Sequence, residues 1–301
     1  MSFVRWRASD GTTKVGLRDS EHLYELPFPT LAELLHHTVA DIRRVAEEAV
    51  SSGLRVDPAE VRLLAPIDGR TEVWGAGVTY QHSREARAEE SGFEKVYLDV
   101  YDAERPELFF KSAAWRVLTD GDPGGLHPDC TDPVCEPELA LVLNRHAEIV
   151  GALVCNDLTS RSIEAVNPIY LPQAKMFPGS CQLSTSIVPW WTIGNPEDLL
   201  ITMTVHRGSE TVFSGEARTS SMKRGYAELV HWLFRGELFP DGAVLTTGTG
   251  IVPPLGEGLR PGDRATVTID QVGVLSSVMT DDRSVFEGLL NVTDEPISEG
   301  P

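Results

Sequence analysis

The chain has 301 residues, 41% hydrophobic and 24% charged, the composition of an ordinary globular protein with room for a large core. Its 45 acidic residues against 26 basic ones give a formal charge of −19, a sign that repels nucleic acid and anionic membranes and excludes both as expected partners. The same sign repels an anionic substrate, so a site for carboxylates needs a local positive centre: a metal, or placed Lys and Arg side chains.

The opening MSFVRWRASDG lacks the apolar core of a signal peptide, and the longest apolar runs, such as residues 139–143, are too short to cross a bilayer. A cytoplasmic location is the expectation. Strand-like alternation over residues 3–7 and 13–17 is followed by helical spacing over 30–35 and 40–50. LLAPIDGRTEVWGAG reads as a proline-marked connector, so residues 1–69 are expected to form a small N-terminal α/β unit. From residue 70, short Val/Ile/Leu/Thr runs alternate with Gly, Pro and Asp clusters. Helical patterns are confined to about 83–90 and 222–234, and HRGSETVFSG reads as a hairpin turning at RGSE. The expectation is an α+β fold with a mainly β core over 70–280, not alternating βαβ units. Residues 281–301 read as an acidic tail, with Phe286, Leu289 and Leu290 able to anchor a short helix. Cys130, Cys135, Cys155 and Cys181 lack the paired spacing of a zinc site and read as reduced thiols.

The segment VCEPELALVLNRHAEIVGALVCND carries the chemistry. Glu136 and Glu138 lie two apart at the head of an apolar run, and on a strand both side chains take one face. Two such carboxylates repel unless a cation sits between them or one holds a proton. Asp157 ends the next apolar run and reaches the same point if the two runs pair as a hairpin. A solvated strand face is the bland alternative. Pro137 stiffens the backbone between the glutamates, and the buried character of LALVL argues against loose charge there.

CEPELALVL followed by NDLTSRSIE resembles the E-x-E … D metal motif of the fumarylacetoacetate hydrolase superfamily, and TTGTGIVPP resembles its glycine turn. The likeness runs over about residues 70–280 and implies a mixed β-roll core of that type. It implies Glu136, Glu138 and Asp157 as ligands of Mg²⁺ (Mn²⁺ or Ca²⁺ being alternatives), Arg161 and Thr249 as substrate contacts, and Lys175 as the active-site lysine. It also implies a homodimer or homotetramer, with Trp190 and Trp191 at an interface or domain contact. The stretches GAGVTYQHSREAR, ERPELFFK and NPIYLPQAK are closest to the branch that dehydrates 2-keto-3-deoxy-D-arabinonate.

In the carbon–carbon hydrolases of the superfamily a Tyr-x-x-His histidine activates water. Here Tyr80-Gln81-His82-Ser83 places His82 one position early, so His82 reads as a surface residue and Ser83 stands in the histidine's place. Gln182, Ser184 and Thr185 are further departures, expected to bear on substrate fit. The implied reaction is a hydro-lyase step on a 2-keto-3-deoxy acid, giving 2,5-dioxopentanoate from a pentonate. A divalent ion acidifies the C3 protons, and a hydroxyl leaves from C4. Lys175, its ammonium disfavoured beside a cation, is the first candidate for proton transfer; the alternative is that it stays charged and only holds the substrate. Glu107 is the second, with Lys111 to orient it; an ion pair at a strand start is the alternative for both. Arg84 is a candidate clamp on the substrate, or else a surface partner of Glu85 or Glu89. Asn156 and Thr159 flank Asp157 as supporting partners. The rival functions are an acylpyruvate or 2,4-diketo acid hydrolase, a decarboxylase or isomerase using the same ion, and a non-catalytic binding protein of this fold.

Overall fold

The computed structural model describes residues 1–52, 55–90 and 94–292. The first alternating segments form strands β1 (Ser2–Arg7) and β2 (Thr13–Arg18), paired antiparallel, with β3 (Leu23–Glu25) beside β2. The helical pattern then divides in two. α1 (Leu31–Leu34) is capped by the Thr30 hydroxyl, which accepts the Glu33 amide, and α2 (Val39–Ser52) follows after a break. The Asp68 carboxylate accepts the amides of Leu31 and Ala32 and pairs with the buried Arg5 at 2.8 Å, tying the connector back to β1 and α1.

The larger part starts with β4 (Glu72–Gly77), a helical pair α3 (Gln81–Glu90) and α4 (Glu94–Asp102), and β5 (Glu107–Ala113). Next come β6 (Pro137–Leu143), β7 (Ile149–Asp157), the short helices α5 (Arg161–Glu164) and α6 (Leu171–Lys175), and strands β8 (Cys181–Leu183) and β9 (Ser186–Pro189). The hairpin β10 (Leu200–Arg207) and β11 (Glu210–Arg218) turns at residues 208–209. After it come α7 (Tyr226–Gly236), β12 (Ala243–Thr246), β13 (Arg264–Ile269) and β14 (Gly273–Thr280).

One large mixed sheet runs β3–β2–β1–β9–β7–β6–β12–β4–β5, with β8 alongside β7 and with β12 parallel to β4. A second sheet runs β11–β10–β13–β14. β6 and β7 are covered on both faces, which is why they read as unbroken apolar runs rather than as an alternation. Leu139, Leu141 and Val154 join a core with Ile201, Met203 and Val267 of the second sheet. Ala140, Val142 and Leu153 join another core with Phe3, Leu17 and Ile42.

The result is the expected β-rich α+β fold. Residues 1–69 share its sheet, since Phe3 pairs with Ile187 and its ring meets Trp191 edge-on at 6.2 Å. Trp190 packs edge-on against Tyr226 of α7 at 5.5 Å. All four cysteines are free thiols. Within the expected tail, Arg283–Asn291 is a 3₁₀ helix with Phe286 buried, whereas residues 293–301 lie outside the described residues. No helix among the described residues is long and apolar enough to cross a membrane.

Candidate active site

The hairpin β6–β7 assembles the acidic cluster. Its register sets Pro137 opposite Asn156 and Glu138 opposite Cys155, so Glu136, just before the strand, lies beside Asp157. The Asp157 amide donates to the Glu136 carbonyl at 2.9 Å. One carboxylate oxygen from each of Glu136, Glu138 and Asp157 lies within 4.8 Å of the others, and all three residues are buried.

Two ammonium groups meet this cluster. Lys175, the last residue of α6, donates to Glu136, to Asp157 Oδ2 at 2.8 Å and to Thr159 Oγ1 at 2.8 Å. Lys111 contacts Asp157 Oδ1 and donates to the carbonyls of Leu158 at 3.1 Å and Lys175 at 2.6 Å. The sequence reading set Lys175 beside an ion held by the three carboxylates; in the structure the lysine amine itself stands against two of them. Glu138 is treated differently: its Oε2 accepts the Gly248 amide at 2.7 Å. Burial, then the charge of Asp157 and to a lesser degree that of Glu136, push the Glu138 carboxyl up to about 8, with Lys175 opposing.

Three carboxylates meet two ammonium groups here, an excess of one negative charge when all are ionised. A proton on Glu138 or a bound cation removes it. An all-oxygen set of three convergent carboxylates suits a hard divalent ion such as Mg²⁺, which retains waters in its remaining positions. The residues present fit that ion.

Beside the cluster is a cavity of about 30 Å³ lined by Ser83, Glu107, Phe109, Glu164, Leu171 and Thr249, among others. That is the space of about one water, far below the roughly 300–1,000 Å³ of pockets enclosing small ligands. The walls come from α3, β5, α5, α6 and the turn after β12. Gly248 in that turn has φ +87°, and a Cβ there would collide with Thr79 Oγ1 and come within 2.9 Å of the Ala76 carbonyl, so the tight approach requires glycine.

The other expected residues divide between cavity and scaffold. Glu107 lines the cavity. Thr249 does too, while its hydroxyl accepts the Ile251 amide at 3.1 Å and so closes the turn. Lys111 serves Asp157 instead of orienting Glu107: four residues along a strand span about 13 Å, and Lys111 is the extra residue of a bulge between the pairs Val73–Ser112 and Trp74–Phe110. Arg161 is absent from the cavity wall. Its guanidinium donates to Asp132 Oδ2 at 2.6 and 2.9 Å and to the carbonyls of Pro253 and Pro254 at 2.6 and 2.9 Å, bracing the segment that follows Thr249. Arg84 pairs with Asp102 at 3.0 Å and not with Glu85, and it stacks on Tyr101; the Glu89 side chain lies outside the described ones. Thr159 accepts from Lys175 and donates to the Asp157 carbonyl, and Asn156 donates to Gln182. Gln182 also accepts from Ser277, and Ser184 bonds the backbone of Val154 and Ser186, so neither lines the cavity. His82 is exposed, and Ser83 is the residue of that motif on the wall. Sequence reasoning missed Glu164, a buried carboxylate on the wall. The available signal was its place three residues after Arg161, one turn further along a short helix.

The family model for the fumarylacetoacetate (FAA) hydrolase C-terminal domain matches residues 72–280. The chain belongs to the fumarylacetoacetate hydrolase family. It is 41% identical over 255 residues to the probable 2-keto-3-deoxyxylonate dehydratase of Haloferax volcanii, covering 84% of this chain and 88% of that protein. It is 39% identical over 220 residues to the 2-dehydro-3-deoxy-D-arabinonate dehydratase of Saccharolobus solfataricus, covering 72% of this chain and 74% of that one. Among solved structures, 2-keto-3-deoxy-D-arabinonate dehydratase complexed with magnesium and 2,5-dioxopentanoate superposes with a TM-score of 0.79 at 31% identity, over 93% of this chain and 99% of that one. Its apo form gives a TM-score of 0.80. The β-roll core expected of the family is the fold observed.

Proposed function

We propose that this chain is a divalent-metal-dependent dehydratase, a carbon–oxygen lyase, acting on a 2-keto-3-deoxy sugar acid of the 2-keto-3-deoxypentonate class. The observation that carries the reading is the buried convergence of Glu136, Glu138 and Asp157 on one point with the Lys175 amine beside it. Likeness to named dehydratases over most of the chain supports the reaction class. Mg²⁺ held by the three carboxylates supplies Lewis acidity to the 2-oxo acid head of the substrate.

The remaining work falls to the chain's own groups. Lys175, as the neutral amine, takes a proton from C3, and its contacts to Thr159 and Asp157 support that role. Glu107, on the opposite strand pair, donates a proton to the hydroxyl leaving C4, which departs as water. Thr249 and Glu164 border the path of the hydroxylated tail. The position of His82, exposed and away from the cavity, speaks against a hydrolase with a histidine-activated water.

The test is a panel of 2-keto-3-deoxy pentonates and hexonates with Mg²⁺, with product aldehyde read through an aldehyde dehydrogenase. Aldehyde from a pentonate is expected. No aldehyde from any member, together with loss of diketone absorbance from an acylpyruvate, would replace this reading with the hydrolase.

A further inference from the structure

Strand β4 carries glycines at positions 75 and 77, two apart and therefore on one face. Across the β4–β5 pair the register sets Phe109 opposite Gly75 and Glu107 opposite Gly77. Both facing side chains lie down over bare backbone. A Cβ at Gly77 would overlap the Glu107 carboxylate, with the carboxyl carbon at 2.7 Å and Cγ at 3.3 Å. A Cβ at Gly75 would meet the Phe109 ring, with two further ring carbons at 2.8 Å. Phe109 in turn presents its ring to the Lys175 ammonium, 5.4 Å from the ring centroid. Neither glycine has a positive φ, so backbone conformation does not call for glycine at either place.

We propose that Gly77 and Gly75 are positioning residues for the reaction. Gly77 seats the Glu107 carboxylate in the cavity, and Gly75 seats the Phe109 ring that supports Lys175. A side chain at position 77 leaves the strand intact and turns the end of Glu107 out of place, because the atoms it meets are the far end of a flexible side chain. A misplacement of about 1 Å at a reacting group costs about a hundredfold in rate. The inference rests on the proton-donor role given above to Glu107.

The experiment is a double-mutant cycle of Gly77→Ala and Glu107→Gln, with kcat and KM on the preferred sugar acid, Mg²⁺ affinity by calorimetry, and a crystal structure of Gly77→Ala. Expected are a kcat lowered about a hundredfold, unchanged Mg²⁺ affinity, and a Glu107 carboxylate displaced from its seat. In the Glu107→Gln background, Gly77→Ala should cost nothing further in kcat, since it acts only through that carboxylate. Equal losses in both backgrounds, a carboxylate still in place, or a Gly77→Ala chain that fails to fold would each overturn the inference. Gly75→Ala should lower kcat without moving Glu107. A wild-type chain that dehydrates no sugar acid defeats the proposed function instead, and the crystal structure still decides whether Gly77 seats Glu107.

Discussion

Replacing Lys175 with methionine removes a charge and keeps most of the side-chain volume. In the metal-free protein its ammonium holds Glu136, Asp157 and Thr159, all buried. Without it, Lys111 alone faces three carboxylates. Removing one partner of a buried ion pair costs about 3–5 kcal/mol, because the remaining charge stays desolvated. At about 2 °C per kcal/mol for a chain of this size, the metal-free variant should melt roughly 6–10 °C below the wild type. Saturating Mg²⁺ should recover most of that loss, since a ligand at a thousand times its Kd adds about 4 kcal/mol and the competing ammonium is gone. The assay is thermal unfolding of both proteins in EDTA and in Mg²⁺, at pH 6 and pH 8. The deficit should narrow at the lower pH, where a carboxyl takes a proton instead. Melting of the metal-free variant within about 2 °C of the wild type, or an Mg²⁺ shift no larger than that of the wild type, would refute the reading that lysine and metal share these oxygens.

Three further outcomes follow from the same geometry. Glu138 is raised from 4.5 to about 8, so the metal-free fold loses stability as pH rises from the unfolded value towards the folded one. Mg²⁺ affinity should climb about tenfold per pH unit up to that point and then flatten, and calorimetry in two buffers of different ionisation enthalpy should count about one proton released near pH 7. Glu107→Gln should lower kcat about a hundredfold or more with Mg²⁺ affinity unchanged; equal loss of both would place Glu107 in the metal's support. Arg161→Lys cannot keep the paired bonds to Asp132 together with two proline carbonyls. It should cost about 2–3 kcal/mol in denaturant unfolding and change KM less than twofold, whereas a large KM effect in a stable variant would restore Arg161 to the substrate.

The acidic cluster was legible because its parts obey local rules. A period of two puts Glu136 and Glu138 on one face, and two consecutive apolar runs form a hairpin that brings Asp157 alongside. The β-rich character was legible for the same reason, and even the turn at residues 208–209 shows in the composition. What escaped depends on distant pairings or irregular backbone. Lys111 was assigned to Glu107 by nearness in sequence, but it sits at a bulge and pairs with Asp157, 46 positions further on. Arg161 is taken up by residues 92 and 93 positions further on. The joining of residues 1–69 to the main sheet rests on Phe3 finding Ile187, which no local pattern encodes. Helices α5 and α6, which carry Glu164 and Lys175 to the site, have four and five residues, too few to show a helical period.

The same charge count bears on how so acidic a chain could hold the anion proposed for it. Away from the site, a net charge of −19 opposes the approach of a carboxylate. At the site, three carboxylates and two ammonium groups leave a deficit of one, which a proton on Glu138 cancels in the metal-free state. A divalent ion in place of that proton would raise the charge of the cluster by one, towards the positive centre that an anionic 2-keto acid needs. Under the proposed function, metal loading would then govern substrate affinity as well as chemistry. A 2-keto acid should bind with measurable heat in Mg²⁺ and with none in EDTA at pH 7. Binding of equal strength in both would mean that Lys175 and Lys111 alone supply the positive centre, and the charge balance drawn from the three carboxylates would fail.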